Sequence, residues 1–233
     1  MDGRLIVFEG LDCSFKETNA KKLKEYITNT GRECVCKSFP TYGNPSAYFV
    51  EQFLKGSYGK IEDLSPRTVS IFYMIDMFDY MNKEGLKLLE SGTDIILDRY
   101  WYSNIYYRIG AAKLDSVRKG EEDYVNPAMM EYITDFIDNL ADELDLPSPD
   151  IIFKMNNDKE LMIETVKKKN SKDDILEANY DYLREVHDAF TEMDFKKYSD
   201  CVFGIPVTDE NGFRSHEEIY KDIVDRFSEV YHG

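Results

Sequence analysis

The chain has 233 residues, of which 42% are hydrophobic and 14% are aromatic, and this apolar content excludes an intrinsically disordered protein. Its formal net charge is −16, from 29 Lys and Arg against 45 Asp and Glu, which argues against binding to nucleic acid or to an anionic membrane surface. A single core can grow to roughly 250 residues before a chain divides, so residues 1–233 are predicted to form one domain.

Neither a membrane span nor a secretion signal is predicted. No run approaches the ~18 consecutive apolar residues of a membrane-spanning helix. The apolar part of the N-terminal stretch MDGRLIVFEG is too short, and its continuation too acidic, for a signal peptide. The four cysteines (Cys13, Cys34, Cys36 and Cys201) include one Cys-x-Cys pair but no second cluster that would complete a zinc site. We therefore expect a cytoplasmic protein with reduced thiols.

Apolar runs alternate with stretches of helical spacing along the whole chain. In chain order the predicted elements are strand 4–9, helix 18–30, strand 33–39, helices 46–55 and 65–90, strand 94–100, helices 102–112 and 126–143, strand 150–155, helices 158–169 and 177–197, strand 201–207 and helix 215–231. Strands that are separated by helices pair in parallel. The expected fold is therefore an α/β fold, a five-stranded parallel sheet with helices on both faces.

Two further local features shape this prediction. Ser65 and Pro66 are a strong start signal for the long helix, because serine caps a helix and proline suits its first position. The segments 113–126 and 166–176 are polar and are expected to be mobile.

The turn after the first strand carries a phosphate-binding pattern. Residues 10–18 read GLDCSFKET, and the P-loop template is Gly, four residues, Gly, Lys and then Ser or Thr. Gly10 and Lys16 match the template, whereas Phe15 replaces the second glycine and Glu17 replaces the hydroxyl residue. Lys16 would stand in the first turn of a helix, where backbone N–H groups and the helix dipole favour phosphate.

The two departures have physical costs. A side chain at a position where glycine takes a positive φ costs roughly 1–2 kcal/mol, so Phe15 is expected to change the shape of the loop. A carboxylate at Glu17 could bind the metal ion but would also repel phosphate, and Thr18, one position later, is the alternative hydroxyl for Mg²⁺. From this motif alone, an ordinary strand–turn–helix with a chance lysine remains an open alternative.

A second polar group follows the third predicted strand, in the tripeptide Asp98-Arg99-Tyr100. Ligands of open parallel sheets bind beyond the carboxyl ends of the strands, so this pair is expected to face the same crevice as Lys16. A guanidinium fork suits a phosphate, and the carboxylate beside it can orient the arginine or hold a metal ion. A surface ion pair that caps a helix is the simpler alternative for this motif in isolation.

Taken together and in order, these segments resemble the thymidylate kinase family of P-loop nucleoside monophosphate kinases. Residues 6–23 are similar to its apolar strand followed by Gly-x-Asp-Gly-Ser-Gly-Lys-Thr-Thr, and Asp98-Arg99-Tyr100 to its Asp-Arg-Tyr segment. The other segments that carry the resemblance are Phe39-Pro40, PSAYFVEQFLKGSYG (45–59), SIFYMIDM (70–77), Ser103 with Tyr107, LPSPDIIFKM (146–155) and KKKNSKDDILEANYDYLREV (167–186).

The resemblance implies phosphoryl transfer from ATP to dTMP with Mg²⁺, giving dTDP and ADP. It implies that ATP is held by Lys16 and by the other residues of the loop, Gly10, Leu11, Asp12, Cys13, Ser14, Phe15, Glu17 and Thr18. It also implies a catalytic group that consists of Lys16, Asp98, Arg99 and Asp12. Thr18 and Asp98 would hold Mg²⁺. The acceptor nucleotide would contact Asp12, Pro40, Tyr42, Tyr73, Asp76, Arg99, Ser103, Tyr107 and Arg108, with Tyr73 stacking on the base. Residues 166–177 would form a lid.

The chain also departs from the family pattern. Thr41 and Tyr42 stand where an arginine is expected after Phe39-Pro40, and Met77 stands where an arginine is expected to read the base. The lid region contains Lys167, Lys168, Lys169 and Lys172 instead of an arginine. Arg108, which lies off the family pattern, is a candidate replacement for one of the missing charges.

Three functional hypotheses follow: a dTMP kinase, a non-catalytic or regulatory nucleotide-binding protein derived from the same fold, and a deoxynucleoside kinase. The partners expected are small-molecule nucleotides. A homodimer is also expected, because the long helix is apolar over much of its circumference and because the family resemblance implies one. The aromatic stretch around Tyr100 and Trp101 is predicted to be core packing.

Overall fold

A parallel sheet lies at the centre of the computed structural model, which describes residues 2–120, 127–169 and 174–231. Its strands are β1 (Leu5–Gly10), β2 (Cys34–Ser38), β3 (Asp94–Asp98), β4 (Ile151–Asn156) and β5 (Val202–Pro206). They lie in the order β2-β3-β1-β4-β5, and every neighbouring pair is parallel. The predicted fold class is confirmed.

Helices cover both faces of this sheet. They are α1 (Lys16–Asn29), α2 (Tyr48–Leu54), α3 (Pro66–Tyr80), α4 (Leu86–Glu90), α5 (Tyr102–Lys119), α6 (Pro127–Glu143), α7 (Lys159–Lys169), α8 (Tyr180–Glu192) and α9 (His216–Tyr231). Ser65 caps α3 as predicted, since its side chain accepts a hydrogen bond from the backbone N–H of Thr68 at 3.2 Å. Within the described ranges, no helix has both the length and the apolar character that crossing a membrane requires.

Strand β1 divides the apolar core into two halves because its side chains alternate between the two faces of the sheet. Leu5 and Val7 belong to the half of the core that also contains buried residues of α2, α3, α5, α6, α7 and α8. Ile6 and Phe8 pack on the opposite face, against α1 and α9. All six residues of β1 are buried, as expected for a central parallel strand.

The register of the central strands brings their carboxyl ends together. Phe8 of β1 stands opposite Asp98 of β3, and Gly10 stands opposite Met155 of β4. The turn after β1 and the turn after β3 therefore begin side by side. Parallel sheets place their ligand sites at this edge.

Several predicted boundaries are wrong. Helix α5 continues to Lys119, so the polar residues 113–119 are helical, and the remainder of the segment expected to be mobile, 121–126, lies outside the described residues. Residues 170–173 of the predicted lid also lie outside them. The helix predicted over 65–90 contains a π-helical segment, Met81–Gly85, between α3 and α4, and the helix predicted to end at 197 ends at Glu192.

A small antiparallel hairpin was not predicted. It consists of β6 (Thr208–Asp209) and β7 (Gly212–Phe213) and follows β5 directly. Strands of two residues have too few side chains to show an alternating pattern. The hairpin lies beside the P-loop, where Phe213 contacts Phe15.

Candidate active site

The loop between β1 and α1 keeps left-handed backbone positions in spite of its missing glycines. Cys13 has φ 60° and Phe15 has φ 58°, and Phe15 is the residue that precedes α1. The Phe15 ring lies 5.3 Å from the ring of Phe213 and 4.5 Å from that of His216, measured between centroids. This packing offsets a backbone cost of about 1 kcal/mol, so a phenylalanine occupies the glycine position with a glycine-like backbone.

Gly10 is required by the close approach of β4. A Cβ atom at this position would lie 2.9 Å from the backbone oxygen of Met155, which is tighter than carbon–oxygen packing allows. Gly10 and Leu11 do not line the cavity. Their carbonyl oxygens instead accept hydrogen bonds from Arg99 and Lys16.

Lys16 is buried and folds back over the loop. Its Nζ donates to the carbonyl oxygen of Leu11 at 2.7 Å and to Ser14 Oγ at 3.1 Å. Burial, and after it the nearby guanidinium of Arg99, lowers the pKa of Lys16 from its ordinary 10.5 to about 8. A bound polyanion would restore the favourable environment that this ammonium group lacks.

The Glu17 carboxylate, which the sequence suggested would repel phosphate, has its own cationic partner, although Glu17 borders the cavity. It is exposed and forms an ion pair with Lys21 one turn later on α1, so its charge is balanced on the solvent side. Thr18 is also exposed and borders the cavity.

Arg99 joins the two adjacent turns at the strand ends. Its backbone is left-handed, with φ 69°, and its two terminal nitrogens donate to the carbonyl oxygen of Gly10 and to Asp12 Oδ1, both at 2.9 Å. Its Cζ lies 5.3 Å from the centroid of the Tyr107 ring. Asp98 is buried, and no described residue donates a hydrogen bond to its Oδ1 atom. We call Asp12, Lys16, Asp98 and Arg99 the strand-tip cluster.

Glu9 of β1 supports the strand-tip cluster through buried hydrogen bonds, and it was not among the residues predicted from the sequence. Its carboxylate accepts hydrogen bonds from Tyr100 N–H at 2.8 Å, Ser103 Oγ at 2.7 Å and the Tyr106 hydroxyl at 2.8 Å. Burial raises the pKa of Glu9. An acidic residue inside an otherwise apolar strand was the available signal. The hydroxyl of Ser103, predicted to bind the acceptor, is directed at Glu9, although Ser103 also borders the cavity.

A cavity of about 380 Å³ extends from the strand-tip cluster towards α3 and α5, within the range of small-molecule sites. Of the predicted site residues, it brings together Asp12, Cys13, Ser14, Phe15, Lys16, Glu17, Thr18, Pro40, Tyr42, Tyr73, Asp98, Arg99, Ser103, Tyr107 and Arg108. Ser38 and Asn104, which were not predicted, also line it. Three residues of the predicted lid segment 166–177 line it as well, namely Lys169, Asp174 and Glu177.

Asp76, predicted to contact the acceptor, is not among the residues that line this cavity. Its carboxylate accepts hydrogen bonds from the backbone N–H of Thr41 at 2.7 Å, from the Thr41 hydroxyl, and from Ser46 Oγ at 2.7 Å. It thereby fixes the segment after Pro40, which borders the cavity.

The far end of the cavity is formed by Tyr73 and Met77 of α3 with Asn104 and Arg108 of α5, which we call the helix-side cluster. Asn104 and Arg108 are 3% and 2% exposed. Their Nδ2 and Nε atoms find no hydrogen-bond partner among the described residues. The four-residue spacing places the two side chains on the same face of α5.

The donor set at the strand ends is compatible with Mg²⁺. Within the described ranges, no three His, Cys, Asp or Glu side chains converge as a metal cage. Mg²⁺ is usually held by one or two carboxylates together with substrate phosphates. The buried, unpartnered oxygen of Asp98 fits that role.

The sequence is similar to known thymidylate kinases. The family model for thymidylate kinase matches residues 8–141. The thymidylate kinase of Plasmodium falciparum is 30% identical over 56% of this chain and 61% of its own length, and that of Dinoroseobacter shibae is 34% identical over 48% and 53%. The chain thus spans about half to three-fifths of these relatives. The enzyme of Caldicellulosiruptor saccharolyticus is 24% identical over 87% of both chains.

Solved structures agree on the fold. Thymidylate kinase from Candida albicans superposes with a TM-score of 0.70 at 22% identity, covering 98% of this chain and 92% of its own. The enzyme from Ehrlichia chaffeensis gives a TM-score of 0.64 at 18% identity, covering 97% and 98%. Because the family model covers more than half of the sequence and includes both strand-end motifs, this chain belongs to the thymidylate kinase family.

Proposed function

We propose that this protein transfers the γ-phosphoryl group of ATP to dTMP and forms dTDP and ADP. The observation that carries the proposal is the convergence of Lys16, Arg99, Asp12 and Asp98 on one cavity in a member of the thymidylate kinase family. Phosphoryl transfer depends mainly on positioning and charge neutralisation. The strand-tip cluster supplies two cations and two carboxylates for that purpose.

The donor phosphates rest on the loop of residues 10–18 and on the start of α1. The backbone N–H groups at the beginning of this 14-residue helix are free of intrahelical partners and favour an anion. Lys16 releases its contacts with Leu11 and Ser14 and turns its ammonium group to the phosphates. Because Lys16 is buried, its attraction to a phosphate is weakly screened by solvent.

The acceptor occupies the rest of the cavity. Its phosphate lies against the Arg99 guanidinium, which Gly10 and Asp12 hold in place. Its base lies beside Tyr73, and Tyr107 separates the two ends. Pro40 and Tyr42 close the side of the cavity, and Asp76 acts through Thr41 as a positioning residue.

Asp98, with Thr18 as a further oxygen ligand, would hold Mg²⁺ together with the phosphate oxygens. When bound, the ion neutralises charge that develops on the transferred group. The carboxylate of Asp98 also acts electrostatically on Lys16 and partly offsets the lowering of its pKa.

Residues 166–177 act as a lid over the bound nucleotides in this one-domain protein. Lys169, Asp174, Leu176 and Glu177, which border the cavity, support this role. Closure would bring the lysines of α7 towards the phosphates and exclude water from the reaction.

We further propose that the protein is a cytoplasmic homodimer that does not bind nucleic acid. The net charge of −16 argues against binding to nucleic acid, and the four free cysteines suit a reducing compartment.

The homodimer is supported by exposed apolar side chains on α2 and α3, namely Phe49, Ile71, Ile75 and Phe78. Such a strip favours a second copy of the chain as its partner, and light scattering of the purified protein measures its mass directly.

A coupled ADP-release assay tests the catalytic proposal. Wild-type protein is assayed with ATP and Mg²⁺ against dTMP, dUMP, the other monophosphates and thymidine, beside Lys16→Met and the control Lys21→Met, which removes an exposed lysine of the same helix. We expect turnover with dTMP that only Lys16→Met abolishes. Faster turnover of thymidine would indicate a nucleoside kinase, and nucleotide binding without any ADP would indicate a non-catalytic protein.

A further inference from the structure

Arg108 presents a charge-balance problem in the interior of the molecule. Its side chain is among the largest that are fully buried, and no carboxylate of the described residues forms an ion pair with it. Isolated buried charges are costly unless hydrogen bonds and counter-charges surround them. An arginine in this position therefore needs a partner that the described residues of the chain do not provide.

The contacts that Arg108 does make are weak. One terminal nitrogen lies 3.5 Å from the Tyr182 hydroxyl, at the limit of a hydrogen bond. That hydroxyl uses its own proton on the carbonyl oxygen of Tyr107. The guanidinium carbon stands 5.8 Å from the Phe53 ring and 6.0 Å from the Tyr73 ring. A guanidinium has five N–H donors, and the Nε of Arg108 has no acceptor in the part of the chain that the structure describes.

The position of Arg108 in the cavity identifies the part of a ligand that it meets. From the start of α5 at Tyr102 to Arg108 the helix rises by roughly 9 Å, at about 1.5 Å per residue. Arg99 lies over Tyr107, whereas Arg108 lies beside Tyr73. A nucleotide whose phosphate is bound by the strand-tip cluster therefore turns its base towards Arg108.

We propose that Arg108 donates hydrogen bonds to the carbonyl oxygen at position 4 of a thymine or uracil ring, and so selects 4-keto over 4-amino pyrimidines. This inference rests on the proposed function and names the feature of the acceptor that the cavity reads. An arginine has donors only, and thymine presents an acceptor at position 4 where cytosine presents an amino donor. At position 4, the amino group of a cytosine would face the guanidinium of Arg108, and neither N–H group would have an acceptor there.

Asn104 contributes to recognition but not to this discrimination. Its amide lies one turn before Arg108, and its buried Nδ2 has no acceptor within residues 2–120, 127–169 and 174–231. A carboxamide can both donate and accept, so it adapts to either base. Met77, on the opposite wall of the cavity, has no polar hydrogen to offer. Among the described residues of the helix-side cluster, Arg108 is the charged donor.

The closest ligand test compares dTMP with 5-methyl-dCMP, in which an amino group replaces the oxygen at position 4 and N3 consequently loses its hydrogen. Dissociation constants are measured by isothermal titration for wild type, Arg108→Met, Arg108→Lys and the control Arg118→Met, which removes an arginine from the exposed end of the same helix. Because a charge-assisted hydrogen bond contributes measurably to binding, we expect wild type to prefer dTMP by about tenfold or more.

Arg108→Met should weaken the binding of dTMP by about tenfold and leave the binding of 5-methyl-dCMP nearly unchanged, so that the preference disappears. Arg118→Met should keep the preference of the wild type. Equal weakening of both ligands, or an unchanged preference in a folded Arg108→Met protein, overturns the inference. If Arg108→Met does not fold, the inference is tested by two other results: the wild type must prefer dTMP, and Arg108→Lys must reduce that preference. Failure to observe one of these results overturns the inference.

The outcomes also separate this inference from the proposed function. ADP release with dTMP together with equal affinity for the two ligands would leave the kinase proposal intact and refute the role of Arg108. Selective binding of dTMP without ADP release by wild type would do the reverse. If neither nucleotide binds, both proposals fail.

Discussion

The strand-tip cluster and the helix-side cluster are held in different ways, although they face one cavity. Lys16 and Arg99 are bound to backbone oxygens of Leu11 and Gly10, and the sheet fixes those oxygens. Asn104 and Arg108 lie on one helix, with donor atoms that lack partners among the described residues. The strand-tip geometry therefore persists through changes in loop sequence, whereas recognition at the helix side depends on individual side chains.

Replacing Arg99 is the strongest test of the strand-tip cluster. Arg99→Gln keeps hydrogen-bonding capacity but removes the charge and the fork, and we expect kcat/KM for dTMP to fall by roughly 10²–10³. Arg99→Lys keeps the charge without the fork and should still lose about tenfold, since lysine does not reproduce bidentate contacts. ADP-release kinetics measure both effects.

Arg184→Gln is the matched control, because Arg184 forms an ion pair with Glu160 on the surface. It should change kcat/KM by less than about twofold. Both Arg99 variants keep a side chain at φ 69°, so a backbone effect would appear equally in the two. Identical kinetics of Arg99→Gln and wild type would contradict the proposed role.

The titration of Lys16 tests the strand-tip cluster through the dependence of stability on pH. Its pKa is lowered in the folded protein to about 8, from an ordinary 10.5, so the folded state carries an unfavourable charge below pH 8. Between these values the unfolded chain binds more protons, and the free energy of unfolding therefore rises with pH. Relative to Lys16→Met, the wild-type protein should gain at most about 3 kcal/mol over this window.

Urea unfolding of wild type and Lys16→Met at pH 7.5, 9 and 10 measures this difference at each value. The control Lys21→Met should follow wild type over the same series, because Lys21 is exposed. Affinity for ATP should fall as pH rises above about 8, since the neutral amine attracts phosphate less. A stability difference that does not change with pH would show that burial has not shifted this lysine.

The sequence predicted the sheet well because its strands are short apolar runs buried on both faces, as in β1 and β3. It also predicted that Lys16 and Asp98-Arg99 would meet, since the carboxyl ends of adjacent parallel strands must adjoin. The last two turns of α5 were missed because Lys113–Lys119 contains many polar residues, and polarity alone does not separate an exposed helix from a loop.

What the sequence could not indicate at the site depends on contacts between distant residues. Asp76 and Thr41 are 35 positions apart, and no periodicity indicates that this carboxylate is occupied by a neighbouring segment. Glu9 and Asn104 match no motif, and their roles follow from burial and from the direction of their side chains. Phe15 packs on Phe213, which is almost a chain length away in the sequence. The sequence could not show this contact, so the replacement of glycine by Phe15 was expected to change the loop more than it does.

The smallest expected effect tests whether the P-loop keeps its left-handed backbone without glycine. Phe15→Ala and Phe15→Gly remove the same ring and differ only at Cβ. At φ 58° alanine carries the left-handed penalty and glycine does not, so the glycine variant should be more stable by about 1 kcal/mol.

At Lys24, which is exposed within α1, the order should reverse, with alanine more stable than glycine by about 1 kcal/mol. Chemical denaturation of the four variants measures both differences. If alanine is the more stable residue at both positions, the backbone at Phe15 is not left-handed in solution, and the loop has changed shape as its sequence first suggested.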